Sequence, residues 1–147
     1  MDAVILIVGA VVVGVLALLV WKVDDWRRDL TQNYAATSEQ ASERGLRPIH
    51  TPTPPEQVAP LVVSVAQELP RWRLAEVARE ASRINYHFVR TTPLLRFQDD
   101  IYLHLAPQGV GTRITAESRS RIGRGDLGQN PRNLAEILDP LRERLDQ

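Results

Sequence analysis

Between Ser118 and Arg132 the chain reads Ser-Arg-Ser-Arg-Ile-Gly-Arg-Gly-Asp-Leu-Gly-Gln-Asn-Pro-Arg, and this stretch joins two different periodicities. Upstream, Ile114, Ala116, Ser118, Ser120 and Ile122 alternate with Arg113, Thr115, Glu117, Arg119 and Arg121. That is the two-residue period of a strand with one covered face. Downstream, Leu134, Ile137, Leu138, Leu141 and Leu145 recur at helical spacing. They follow Asn130, a capping residue type, and Pro131, which suits the first helical position. Gly123, Gly125 and Gly128 supply the turn between. A one-sided strand passed through a tight loop to an amphipathic helix constrains the domain to a sheet covered on one face.

The preceding chain fits that scheme. Thr53-Pro54-Pro55-Glu56 predicts a helix start with a capping box. Val58, Leu61, Val62, Val65, Ala66 and Leu69 then form an apolar stripe that ends at Pro70. Strands are predicted over 71–78, 83–90, 100–105 and 112–122, with a turn at Pro107–Gly111 and a connection over Thr91–Asp99. Asp139-Pro140 predicts a kink or restart in the last helix. The expected fold is α+β: a two-layer domain over 53–147, with a four-stranded antiparallel sheet and helices on one face.

Residues before Thr53 read differently. Ala3–Trp21 holds no charge and no proline. Nineteen helical residues span about 28 Å, close to a hydrocarbon core of roughly 30 Å. A cleaved signal would need a basic start and a small-residue cleavage site, and neither is present. Residues 1–21 are therefore expected to be a retained transmembrane anchor, with single-pass membrane localisation and a lipid bilayer as partner through Ala3–Trp21. Lys22, Arg27 and Arg28 at its end favour a cytoplasmic domain. Ala10 and Gly14 have the spacing of a helix-packing face toward a membrane-protein partner. Residues 22–52 are predicted as a stalk helix to about Arg44, closed by Gly45, and a Pro- and Thr-rich linker.

Charge and composition exclude some chemistry. All 18 basic residues and all but one of the 18 acidic residues follow Trp21, so the remainder is near neutral. Nucleic-acid binding, which favours a basic excess, is not expected. There is no cysteine, which removes disulfides, thiolate metal sites and thiol nucleophiles. Gly123-x-Gly125-x-x-Gly128 has the dinucleotide spacing, but no second parallel strand follows to supply a ribose-binding acid. The loop has two readings. Its amides with Arg121, Arg124 and Arg132 offer an anion pocket, or Asp126 occupies those donors from within. His87, His104 and Glu117 fall on the polar sheet face in the ligand set of a two-His, one-carboxylate centre, though surface residues are the simpler reading. Asp99-Asp100 has the composition of an acid pair for hydrolysis, but Asp at a strand head also caps turns. No serine has a nucleophile-elbow setting. No cofactor or metal is expected.

Phe97-Gln98-Asp99-Asp100-Ile101 and the run Ser118–Arg132 closely resemble the family catalogued as domain of unknown function 1499. In that family a Phe-x-Asp-Asp segment opens a strand, and a Ser-x-Ser-Arg-x-Gly-x-x-Asp-x-Gly-x-Asn run leads into the final helix. The likeness covers roughly Thr53–Leu145. By resemblance, the motif positions are Asp99, Asp100, Ser118, Ser120, Arg121, Gly123, Asp126, Gly128 and Asn130. The family implies no activity, substrate or cofactor. Many members carry an N-terminal hydrophobic segment, and several look exported, in conflict with the charge count. Two functional readings follow. One is a non-catalytic interaction or scaffold domain of the cell envelope, with a structural loop. The other is a ligand-binding or hydrolytic domain using Asp99, Asp100, Arg121 and Asp126.

Overall fold

The structure is a computed structural model that describes residues 2–21, 33–123 and 128–147; within 2–21, side chains are described only at 4, 7–14 and 17. Helix α1 is Asp2–Trp21. Strand β1 (Tyr34–Ala36), a 3-10 turn (Arg44–Leu46) and β2 (Ile49–Thr51) precede α2 (Pro55–Glu68). Then come β3 (Trp72–Glu80), β4 (Arg83–Thr91), β5 (Gln98–Gln108), β6 (Gly111–Ser120) and α3 (Gln129–Leu145).

Two expectations about the first 52 residues are corrected. Among the described residues no helix is long and apolar enough to cross a membrane. The transmembrane helix and single-pass membrane localisation are overturned on that finding. The stalk helix is also corrected over the residues described. Tyr34–Ala36 is a strand, and Gly45 lies inside the 3-10 turn rather than after a helix. Residues 22–32 of that expected helix lie outside the described residues.

The sheet has six strands rather than four, all antiparallel neighbours. β6, β5, β4 and β3 follow in order. β1 and β2 share the outer side of β6 end to end: Tyr34 faces Arg119, and Ile49 faces Ile114. Without them, the outer N–H and C=O groups of β6 would be left as a long open edge. This pairing overrides the helical preference of the alanines in the Tyr34–Ala36 segment. Gly111 is required where β2 arrives. A Cβ there would stand 2.0 Å from the Thr51 carbonyl oxygen and 2.7 Å from Pro52 Cα. The β5–β6 hairpin turns through Gly109 at φ 61°, a conformation glycine adopts without steric cost.

Both α2 and α3 cover one face of the sheet. Val58, Val62 and Val65 of α2 and Leu134, Ile137, Leu138 and Leu141 of α3 are buried against Ile84, Phe88, Ile101, Leu103, Leu105 and Ile114. Tyr86 joins this layer and donates its hydroxyl to the Ala59 carbonyl at 3.2 Å. Thr53 does not cap α2. Pro54 holds the N-cap position without a side-chain hydrogen bond, and Thr53 gives its carbonyl to Thr112 at 2.7 Å. Helix α3 starts from Gly128 at φ 73°, not from Asn130, and runs through Pro140 to Leu145.

Candidate functional site

The pleat of β5 and β6 sorts the motif residues onto two faces. On the covered face, Asp99, Ser118, Asn130 and Asn133 are all at most 2 % exposed. Burying this many polar groups is tolerable only if they satisfy one another, and they do. The Ser118 hydroxyl donates to Asn130 Oδ1 at 2.6 Å. Asn133 Nδ2 donates to Asp99 Oδ2 at 3.0 Å and Ser118 Oγ at 3.1 Å. Asn130 Nδ2 donates to Ser120 Oγ at 3.2 Å, and Gln129 Nε2 to Asn133 Oδ1 at 2.8 Å. These bonds tie the first turn of α3 to β5 and β6. Opposite Asp99 in register, Arg90 is 8 % exposed and donates Nε–H to Glu136 Oε2 at 2.8 Å. Its Nη1 is buried with no hydrogen-bond partner among the described residues.

On the open face the chemistry differs. Arg121 binds Asp100 with two nitrogens, Nε to Oδ2 at 2.8 Å and Nη2 to Oδ1 at 2.7 Å, while Nη1 donates to Gln98 Oε1. His87 Nε2 lies 2.7 Å from Asp100 Oδ1 and donates to it. The Arg121 hydrogen bond holds the Asp100 carboxyl below the usual carboxylate range, opposed by burial and helped by His87. The His87 ring stacks on Tyr102, with centroids 4.6 Å apart and planes 14° apart. Across β6, Tyr34 donates its hydroxyl to Glu117 Oε2 at 2.9 Å, and the Arg119 guanidinium lies 5.5 Å from the Tyr34 ring centre. Burial, then the Glu117 hydrogen bond, pushes the Tyr34 phenol up, so it remains a donor.

Tyr34, Asp100, Tyr102, Glu117 and Arg119 line a cavity of about 360 Å³ on this face. A shallower one of about 150 Å³, bordered by Glu76, Ala78, Asn85 and His87, lies on the other side of Tyr102.

The motif residues therefore do not converge on one site. Asp99, Ser118, Ser120 and Asn130 serve the buried network, and Asp100 and Arg121 the open face. Gly123 has φ 99° and accepts Asn33 Nδ2 on its carbonyl at 3.0 Å. Gly128 caps α3, and Asp126 lies outside the described residues, as do Arg124 and Gly125. The His87, His104 and Glu117 set is not assembled: His87 serves Asp100, His104 Nδ1 binds Asn85 Oδ1 at 2.8 Å, and Glu117 accepts from Tyr34. Sequence reasoning passed over Tyr102 and Asn133. Tyr102 alternates with Ile101 and Leu103, which marks it as open-face. Asn133 falls on the leucine stripe of α3, a polar residue in a core position. The sequence pattern put Tyr34 on the apolar stripe of the expected stalk helix, with Val23, Trp26, Leu30 and Ala41, whereas it opens the three-residue strand β1.

Over residues 27–141 the chain matches the family described as "Protein of unknown function (DUF1499)". No curated protein and no solved structure matches it. The match begins well before Thr53, and so takes in β1 and β2, which complete the sheet edge. With most of its length inside that match, the chain belongs to the DUF1499 family of proteins of unknown function.

Proposed function

We propose that this chain is a non-catalytic recognition domain that binds a polar ligand on the open face of its sheet. The observation that carries the reading is the open-face cavity of about 360 Å³, walled by two tyrosines, two carboxylates and an arginine. Its volume falls in the range of small-ligand sites, and its groups both donate and accept. The two aspartates that offered an acid pair for hydrolysis are separated and engaged by other groups. A general base needs a free carboxylate with a pKa near working pH. Asp99 is buried on the opposite face and bonded to Asn133. Asp100 is held by Arg121 in a bidentate pair that lowers its pKa.

The test is a backbone-amide NMR screen of the folded chain against a library of small polar compounds, with each compound checked for turnover. The expected hits shift amides of 34–36, 100–104 and 115–119 and emerge chemically unchanged. Hits confined to the helix face, or turnover of a compound that is lost in Asp100→Asn, would overturn the reading.

A further inference from the structure

The same cavity narrows the class of ligand, and this step rests on the recognition reading above. We infer that it takes a neutral polyhydroxylated ring, a sugar unit of a carbohydrate. Three observations support this class. The first is charge. Asp100 is neutralised by Arg121, and the remaining Glu117 and Arg119 are of opposite sign on the same strand face. A cation would meet Arg119 and an anion would meet Glu117, whereas an uncharged ligand meets neither repulsion. The second is the aromatic surface. Tyr102 lines the cavity, and its ring is stacked on His87. A phenol ring combines an apolar plane with a polar tip, which suits the C–H face of a pyranose. The third is hydrogen bonding. Carboxylates accept in pairs and a guanidinium donates in pairs, which matches neighbouring hydroxyls that each do both.

The experiment titrates the folded chain by NMR with glucose, galactose, N-acetylglucosamine and cellobiose, and separately with putrescine and inorganic phosphate. The expected result is saturable shifts of the Tyr102, Glu117 and Arg119 amides by at least one sugar. Binding should weaken about tenfold or more in Tyr102→Ala and Glu117→Gln, and be largely kept in Tyr102→Phe. Each variant is used only after its spectrum shows the native fold; Glu117→Gln, a near-isosteric change on an open face, keeps the test available if Tyr102→Ala does not fold. Saturable open-face binding of putrescine or phosphate, with no sugar bound, would overturn the carbohydrate class and leave the recognition reading standing. If the sugars bind only outside the open face, or the two variants bind sugar as well as the parent does, both the carbohydrate class and this site are overturned.

Discussion

Asp99 and Asp100 are consecutive residues that point to opposite faces of β5, and among the described residues they share no partner. Asp99 is buried under α3 and accepts from Asn133, whereas Asp100 faces outward and is held by Arg121 and His87. The period of two in a strand forces this separation. An Asp-Asp pair that looks like a catalytic dyad in the sequence is two unrelated residues in space. One fastens a helix to the sheet, and the other organises the outer face.

The Arg90–Glu136 pair sits beside the Asp99 network, with side chains 9 % and 27 % exposed. Removing one partner of a buried pair strands the other charge, at roughly 3–5 kcal/mol, while an apolar replacement of both is often near neutral. Glu136→Ala should therefore lose a few kcal/mol of unfolding free energy. The double variant Arg90→Met/Glu136→Leu should recover most of it. Urea denaturation of the single and double variants checks the sign of the difference.

Gly111 and Gly109 lie in the same hairpin and should respond unequally. Gly109 has open space around a built Cβ and only a positive φ to lose. Gly109→Ala should cost about 1–2 kcal/mol, the penalty of a left-handed alanine. Gly111→Ala drives a methyl into the Thr51 and Pro52 backbone, which cannot yield as a side-chain tip would. It should cost more than Gly109→Ala and release β2. Amide hydrogen exchange at Ile49–Thr51 would speed up in Gly111→Ala and stay slow in Gly109→Ala.

Acid should act through Asp100. Its folded pKa is depressed, first by the hydrogen bond from Arg121. A depressed carboxylate contributes stability that is fully present above its unfolded pKa, about 3.9, and is lost as pH falls through the folded value. The stability gap between the parent chain and Asp100→Asn should thus be constant near pH 6 and shrink below about pH 4. Thermal melts at pH 6, 4 and 3 measure it. A gap that widens toward pH 3 would contradict the assignment.

The central architecture was legible because its periods are clean. Ile84/Tyr86/Phe88, Ile101/Leu103/Leu105 and Ile114/Ala116 alternate over several residues, and Leu134 through Leu145 hold a helical stripe, so burial and pattern agree. The motif itself was also legible, and the alternation along β6 already set Ser118 and Ser120 apart from Arg121, but the division of Asp99 from Asp100 was not. That division depends on which face α3 covers, and on Asn133 reaching back to both Asp99 and Ser118. The sheet edge was not legible either. Tyr34–Ala36 and Ile49–Thr51 are three-residue strands that exist because β6 offers them partners, and so short a segment has no period of its own. For the same reason Tyr34, a wall of the cavity, could not be placed beside Glu117, 83 residues away.

The most direct test of the divided motif is the equilibrium unfolding free energy of Asp99→Ala and Asp100→Ala, measured side by side at neutral pH. Asp99→Ala deprives a fully buried network of an acceptor and should lose about 1–3 kcal/mol. Asp100→Ala breaks a pair whose arginine is 44 % exposed, and should lose less than about half as much. An Asp100→Ala loss equal to or greater than that of Asp99→Ala would contradict the assignment of a structural role to one face and a recognition role to the other.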